Sequence, residues 1–201
     1  MLMPRTTTMR KGSRATDSTR LTYTLMRRLK APARETGPTA GCVAHAYALA
    51  MPLSPYVREI RAHIGHSLLL LPGVTAVITD NRRFLLARQR DTERWSLIGG
   101  GIEPAEEPLA AVRREVQEEL GVLPQVGPIV GAYGGPDLVA TVPNGDIVSY
   151  VTIAYRCTLP DRNLTLEYDE LTETAWFEPE AIATLDRHPW IDRVVADARS
   201  N

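Results

Sequence analysis

Residues 95–122 read WSLIGGGIEPAEEPLAAVRREVQEELGV, three consecutive glycines followed by a segment with helical periodicity. The spacing predicts a helix from about Glu106 to Leu120. On such a helix Glu115, Glu118 and Glu119 are related by i,i+3 and i,i+4. We therefore expect three carboxylates to project from one helix face.

An apolar stripe on the same helix predicts how the helix packs. Its members recur at helical spacing and lie a quarter to a third of a turn from the carboxylates; they are Leu109, Val112, Val116 and Leu120. We expect this stripe to dock the helix on a sheet.

The three carboxylates predict a metal site. Like charges on adjacent helical turns repel one another, and a divalent cation removes that conflict. Oxygen-only ligation suits a hard ion such as Mg²⁺, with Mn²⁺ as the second candidate, and no nearby His or Cys cluster argues for Zn²⁺. The alternative is a solvated acidic face, which is the usual role of a charge run.

The spacing of nine positions in this segment resembles the Nudix box, G-x5-E-x7-R-E-U-x-E-E-x-G-U with U apolar. The matching positions are Gly100, Glu106, Arg114, Glu115, Val116, Glu118, Glu119, Gly121 and Val122. The resemblance implies an α/β protein, specifically an α/β/α sandwich with a mixed β-sheet. It also implies a metal-dependent hydrolase of a nucleoside diphosphate linked to another group, such as a (d)NTP, ADP-ribose or a related nucleotide.

The resemblance carries roles over to individual positions. Glu118 and Glu119 are the expected metal ligands, together with the carbonyl of Gly99. Glu115 is either a further ligand or the general base that activates water, since Nudix enzymes do not all use the same glutamate as base. Metal ions would clamp the phosphate oxygens and lower the pKa of the attacking water.

Arg114 is grouped with the catalytic glutamates because the resemblance implies that it contacts Glu106 and so orients the carboxylates. Nudix boxes often have a proline before the paired glycines and a glycine before the first glutamate. Ile98 and Ala105 occupy those positions here. The loop is therefore expected to differ in detail from the usual one.

A second acidic cluster, Glu167-Tyr168-Asp169-Glu170, follows the box in sequence. Nudix proteins commonly bring an additional acid to the metal site from this loop, and Glu170 is the expected one, with Glu167 second. The alternative is an ordinary solvated acidic loop.

Substrate binding is assigned to two aromatic residues. Trp95 and Tyr133 could stack on a nucleobase, although aromatic residues on strands more often belong to the core. Pro136 lies near the offset at which ADP-ribose pyrophosphatases carry a proline, but the spacing is not quite theirs and a turn proline is the favoured explanation. The alternative function is a non-catalytic nucleotide sensor, which would be expected to have lost box carboxylates, and none is lost here.

The remaining segments predict mixed α/β architecture. Ser54-Pro55 starts a helix that runs to Gly65. The other expected elements are strands at Val74–Thr79, Phe84–Ala87, Pro128–Tyr133, Ile147–Cys157 and Thr174–Phe177, a turn at Pro143–Asp146, and helices at Pro179–Leu185 and Trp190–Ala198.

Residues 1–50 differ in composition from the rest of the chain. They carry nine basic and two acidic residues, a net charge of +7, whereas residues 51–201 carry 14 basic and 22 acidic residues, a net charge of −8. We predict a disordered basic extension over residues 1–50 and a Nudix hydrolase domain over residues 51–201. A natural start at Met51 is the competing explanation.

Partners and compartment follow from what the sequence offers. Cys42 and Cys157 are far apart and form no metal-ligand spacing, which favours a reducing, cytoplasmic setting. The longest apolar run is much shorter than a membrane span. We expect a small nucleotide as partner, no membrane and no specific nucleic acid, and the sequence is compatible with a homodimer.

Overall fold

The computed structural model describes residues 54–142 and 144–200. Across these ranges the strands are β1 (Leu69–Asp80), β2 (Arg83–Gln89), β3 (Trp95–Ser96), β4 (Ile98–Gly101), β5 (Gln125–Tyr133), β6 (Val139–Thr141), β7 (Ile147–Thr158) and β8 (Leu171–Phe177). The helices are α1 (Pro55–Ile64), α2 (Pro108–Leu120), α3 (Pro179–Ile182) and α4 (Ile191–Ser200), with a 3₁₀ turn at Pro136–Leu138. The predictions for residues 1–50, a start at Met51, Cys42 and Pro143 lie outside the described residues.

The strands form one eight-stranded mixed sheet in which β1 has neighbours on both sides. β1 runs parallel to β7 and antiparallel to β4, and its last residues form a hairpin with β2. Asn81 and Arg82 turn that hairpin with positive φ angles. β2 also pairs with β3 and β8, and β7 with β5 and β6.

Each face of the sheet is covered by a helix, because strand side chains alternate between the two faces. Box helix α2 buries its apolar residues against one face, in a first core cluster that includes Val74, Ala76 and Ile78. α4 covers the other face, in a second cluster that includes Val77, Phe84 and Leu86. The α/β/α sandwich with a mixed sheet that the sequence predicts is confirmed.

Helix α1 is capped and then tied to the sheet by one arginine. The Ser54 hydroxyl accepts a hydrogen bond from the Val57 amide at 3.2 Å, as an N-cap residue should. Arg61 donates to the carbonyls of Gly65, Ser67 and Ile147 at 3.0, 2.6 and 2.9 Å. The last of these bonds fastens the helix to the start of β7.

The structure also differs from the sequence expectation. β3, β4 and β6 were not predicted, and Gly99, Gly100 and Gly101 lie in β4. Glycine is a poor strand former, so pairing with β1 rather than local propensity makes this a strand. Leu109 is 38% exposed and does not dock α2; Ala111, fully buried, packs there instead.

No helix within residues 54–142 and 144–200 is both long and apolar enough to cross a membrane.

Candidate active site

The box helix presents its three carboxylates at graded depths. Steps of about 100° per residue place Glu119 close to the apolar stripe, with Glu115 and then Glu118 progressively further round. Glu119 is only 6% exposed, whereas the side chains of Glu115 and Glu118 are 12% and 42% exposed. The three carboxylates therefore share one side of the helix, but Glu119 lies in the core, Glu118 faces the solvent and Glu115 lies between them.

Arg114 holds this group of acids together. Its Nε and Nη2 donate to the two oxygens of Glu106 at 2.8 and 3.0 Å, a bidentate pair. Its Nη1 donates to Glu115 at 2.7 Å and to Glu118 at 3.2 Å. Nη2 also donates to the Gly101 carbonyl at 2.9 Å, a contact that sequence spacing did not reveal. One guanidinium thus connects the helix, the loop before it and β4.

Burial and charge repulsion shift the pKa values of the inner acids upward. The pKa of Glu119 is raised well above its ordinary value, first by burial and then by the charges of Glu115 and Glu170. Burial also raises the pKa of Glu115 to about 7, against the lowering effect of Arg114. Hydrogen bonding to Arg114 lowers the pKa of Glu106. The surroundings of Glu115 and Glu119 therefore disfavour their charged forms, whereas Arg114 stabilises the charged form of Glu106.

The glycines of β4 leave room for the carboxylates. Gly99 has φ 153°, and a Cβ there would lie 2.2 Å from the Val74 carbonyl oxygen, so no side chain fits. A Cβ on Gly100 would lie 2.6 Å from the Glu115 carboxylate. The Gly99 amide lies 3.4 Å from Glu119 Oε1 and donates to it. Close approach of backbone to acid explains why glycine is needed here.

The loop carrying the second acidic cluster is fastened to the end of α2. The amides of Thr165 and Glu167 donate to the carbonyls of Leu120 and Glu119 at 2.9 and 3.0 Å, satisfying acceptors that a helix end leaves open. This brings Glu170 near enough to raise the pKa of both Glu115 and Glu119 by its charge. The structure thus gathers Glu170 with the box acids, although it is about 50 residues away in sequence.

The donor chemistry of this site fits a hard divalent cation. Its donor atoms are carboxylate oxygens, and a bound positive charge would relieve their mutual repulsion. In the present arrangement Arg114 and the Gly99 amide occupy several of these oxygens. Within the described ranges no three His, Cys, Asp or Glu side chains are grouped closely enough to ligate an ion as they stand.

The two aromatic residues assigned to substrate binding pack elsewhere. Tyr133 is 4% exposed, belongs to the second core cluster and donates its hydroxyl to Asp197 at 2.8 Å. Trp95 packs against the same cluster, with its ring edge-on to Phe177 at 4.8 Å. The box acids flank the first cluster, so the structure does not gather these aromatic rings with them.

Known proteins resemble this chain in both sequence and structure. The family model described as the NUDIX domain matches residues 69–198. The nucleoside triphosphatase NudI of Salmonella agona is 30% identical over 123 residues, covering 56% of this chain and 85% of that protein.

Among solved structures, the E. coli ORF135 protein is 26% identical with a TM-score of 0.51, covering 67% of this chain and 91% of that one. The MutT protein from Methanosarcina mazei Go1 is 24% identical with a TM-score of 0.57, covering 67% and 97%, and this likeness speaks for the fold alone.

Proposed function

The chain belongs to the NUDIX family of pyrophosphohydrolases, and from that premise we propose that it hydrolyses a nucleoside triphosphate or a related nucleotide with the help of Mg²⁺. The observation that carries the proposal is the gathering of four acids, Glu115, Glu118, Glu119 and Glu170, beside the glycine strand. Such a site suits a cation that also contacts phosphate oxygens.

The proposed ligands are Glu118, Glu119 and Glu170 together with the Gly99 carbonyl, and Glu115 serves either as a further ligand or as the base. When bound, Mg²⁺ would neutralise the charge that develops on the phosphate chain and acidify the attacking water; Mn²⁺ offers the same chemistry. The bonds from Arg114 support a fixed orientation for Glu115 and Glu118.

Two further features of the chain support the proposal. Arg114 is a positioning residue, because its five donors are spent on Glu106, Glu115, Glu118 and the Gly101 carbonyl. The absence of a side chain at Gly100 leaves room for the Glu115 carboxylate, which would lie 2.6 Å from a Cβ there.

The first substrate class to test is the nucleoside triphosphates. The Salmonella relative named for that activity is matched over 85% of its length, which supports this order of testing. ADP-ribose, dinucleoside polyphosphates and sugar nucleotides follow, since the box itself addresses only the phosphate chain.

A reducing, cytoplasmic setting is compatible with the free, buried thiol of Cys157.

The decisive experiment assays hydrolysis of this panel with Mg²⁺ by the intact chain and by Glu118→Gln. We expect kcat on the preferred substrate to fall at least about 100-fold. Glu107→Gln is the matched control, because Glu107 precedes α2, is exposed and makes no side-chain capping bond. Unchanged turnover by Glu118→Gln would refute the site, and no turnover of any compound by the unaltered chain would refute the substrate class.

A further inference from the structure

A cavity of about 440 Å³ lies on the α4 side of the sheet, away from the box acids. Three arginines, Arg82, Arg156 and Arg199, line it together with Thr79 and Phe84. Thr79 and Phe84 are cross-strand partners on β1 and β2, and Phe84 belongs to the second core cluster. Thr79 is four residues beyond Thr75, the partner of Gly99 in the sheet, which places the cavity about 13 Å along β1 from Gly99.

The charge in this cavity is unusual for its surroundings. Residues 51–201 carry a net charge of −8, yet none of the described residues that line the cavity is acidic. Three guanidinium groups around one cavity repel one another, as the box glutamates do, with the opposite sign. An anion would relieve this repulsion.

The three arginines are only partly compensated within the protein. Arg156 donates to the Ala198 carbonyl at 2.5 Å, near the end of α4. Arg199 pairs with Glu180 at 3.1 Å, but both side chains are largely exposed, so the pair is weak and exchangeable. Arg82 makes no ion pair with any residue in the described part of the chain.

Backbone conformation adds a separate argument at Arg82. Its φ of 71° lies in the left-handed region, where glycine or asparagine is accommodated at lower cost than a long side chain. The turn therefore gains nothing from an arginine, which suggests that the guanidinium has a use of its own.

We propose that this cavity binds the phosphate group of a small anion, held by Arg82 and Arg199 at its rim and by Arg156 at its inner side. Guanidinium groups match phosphate oxygens in geometry as well as charge. The cavity is within the size range of small-ligand pockets and has an apolar wall in Phe84. Both free phosphate and a nucleotide offer this chemistry.

The test is calorimetric titration of the intact chain with phosphate, pyrophosphate and AMP, each in EDTA so that no metal recruits the anion to the box. We expect binding of at least one of these anions, weakened about tenfold or more by the double substitution Arg82→Gln/Arg199→Gln. Both residues are exposed, so the fold should be retained, as a circular dichroism melt would verify.

Two controls separate this site from its alternatives. Arg83→Gln removes a neighbouring arginine that pairs with Asp80 and does not line the cavity, and it should leave affinity unchanged. Glu118→Gln should also bind normally, since it lies on the other side of the sheet. Tighter binding of AMP than of phosphate would identify a nucleotide as the ligand, and equal binding would identify the phosphate alone. Absence of binding up to about 10 mM, or equal binding by the double variant, would overturn the proposal.

Discussion

The Arg114 guanidinium and the Glu106 carboxylate meet in a bidentate pair, with N···O distances of 2.8 and 3.0 Å. Lysine can keep the charge of Arg114 but not this geometry. We therefore expect Arg114→Lys to raise the Mg²⁺ concentration needed for half-maximal activity by about 10–100-fold, as loss of a residue that orients ligands usually does. Arg113→Lys, at the adjacent exposed position, is the control. Equal metal dependence of the two variants would count against an orienting role.

Gly100 and Gly101 offer a matched pair for testing the space beside Glu115. A Cβ on Gly100 would lie 2.6 Å from the Glu115 carboxylate, whereas one on Gly101 meets nothing within 4 Å. We expect Gly100→Ala to displace Glu115 and lower kcat about 100-fold while the fold persists, because small misplacements in an active site are costly. Gly101→Ala should stay near normal. Similar kcat values for both would show that Glu115 does not need its present position.

Ala105 adopts φ 62°, a left-handed conformation in the loop before the first box glutamate. An L side chain in this conformation costs about 1–2 kcal/mol, and glycine avoids that cost. Glycine also makes the unfolded chain more flexible, which reduces the gain in stability by about 0.4–1 kcal/mol. We expect Ala105→Gly to raise Tm by about 2 °C. Ala110→Gly, inside α2, should lower it because glycine weakens helix interiors. A lower Tm for Ala105→Gly would mean that this loop conformation is not the stable one.

A substitution at Tyr133 can test whether this residue binds the substrate, as the sequence predicts, or only packs in the second core cluster. Its buried hydroxyl donates to Asp197, and Arg193 lies 5.8 Å from the centre of its ring. We expect Tyr133→Phe to lower stability by about 1 kcal/mol and to leave KM unchanged. Tyr56→Phe, at an exposed position on α1, should change neither. A raised KM with normal stability would instead support contact between Tyr133 and the substrate.

The link between α1 and β7 predicts a pH dependence of stability. Hydrogen bonding from His66 first, then from Asn144, and the charge of Arg61 lower the pKa of Asp146. A carboxyl with a lowered folded-state pKa stabilises fully above its unfolded value, near 4, and the contribution disappears as pH falls through the folded value. Asp146→Asn should therefore have a lower Tm than the unaltered chain from pH 7 to about pH 5. The gap should close below pH 4, and a gap independent of pH would exclude ionisation as its cause.

The elements with strong local signals were predictable from sequence. Ser54-Pro55 fixes the start of α1, and apolar periodicity locates α2. β4 was missed because three glycines carry no strand propensity, and only pairing with β1 orders them. Leu109 was misplaced because periodicity gives the direction of a side chain and not whether a neighbour reaches it.

The same distinction applies to the site. The box spacing predicted that Glu115, Glu118 and Glu119 share a region of the helix, but not that their exposure rises from 6% at Glu119 to 42% at Glu118. The contact between Arg114 and the Gly101 carbonyl depends on how the loop folds back, which no local pattern encodes. Long-range backbone contacts therefore account for most of what sequence did not reveal.

The complete burial of Ile98, opposite Ala76 on β1, has a consequence for the accuracy of the site. If β4 slipped along β1 by one residue, Ile98, which carries the only side chain on β4, would change face and leave the core. The free energy that would be lost with the burial of Ile98 holds β4 in its register. The same register fixes the positions of Gly99 and Gly100 beside the glutamates. A single isoleucine outside the box thus determines how the backbone of the site is aligned with the box helix.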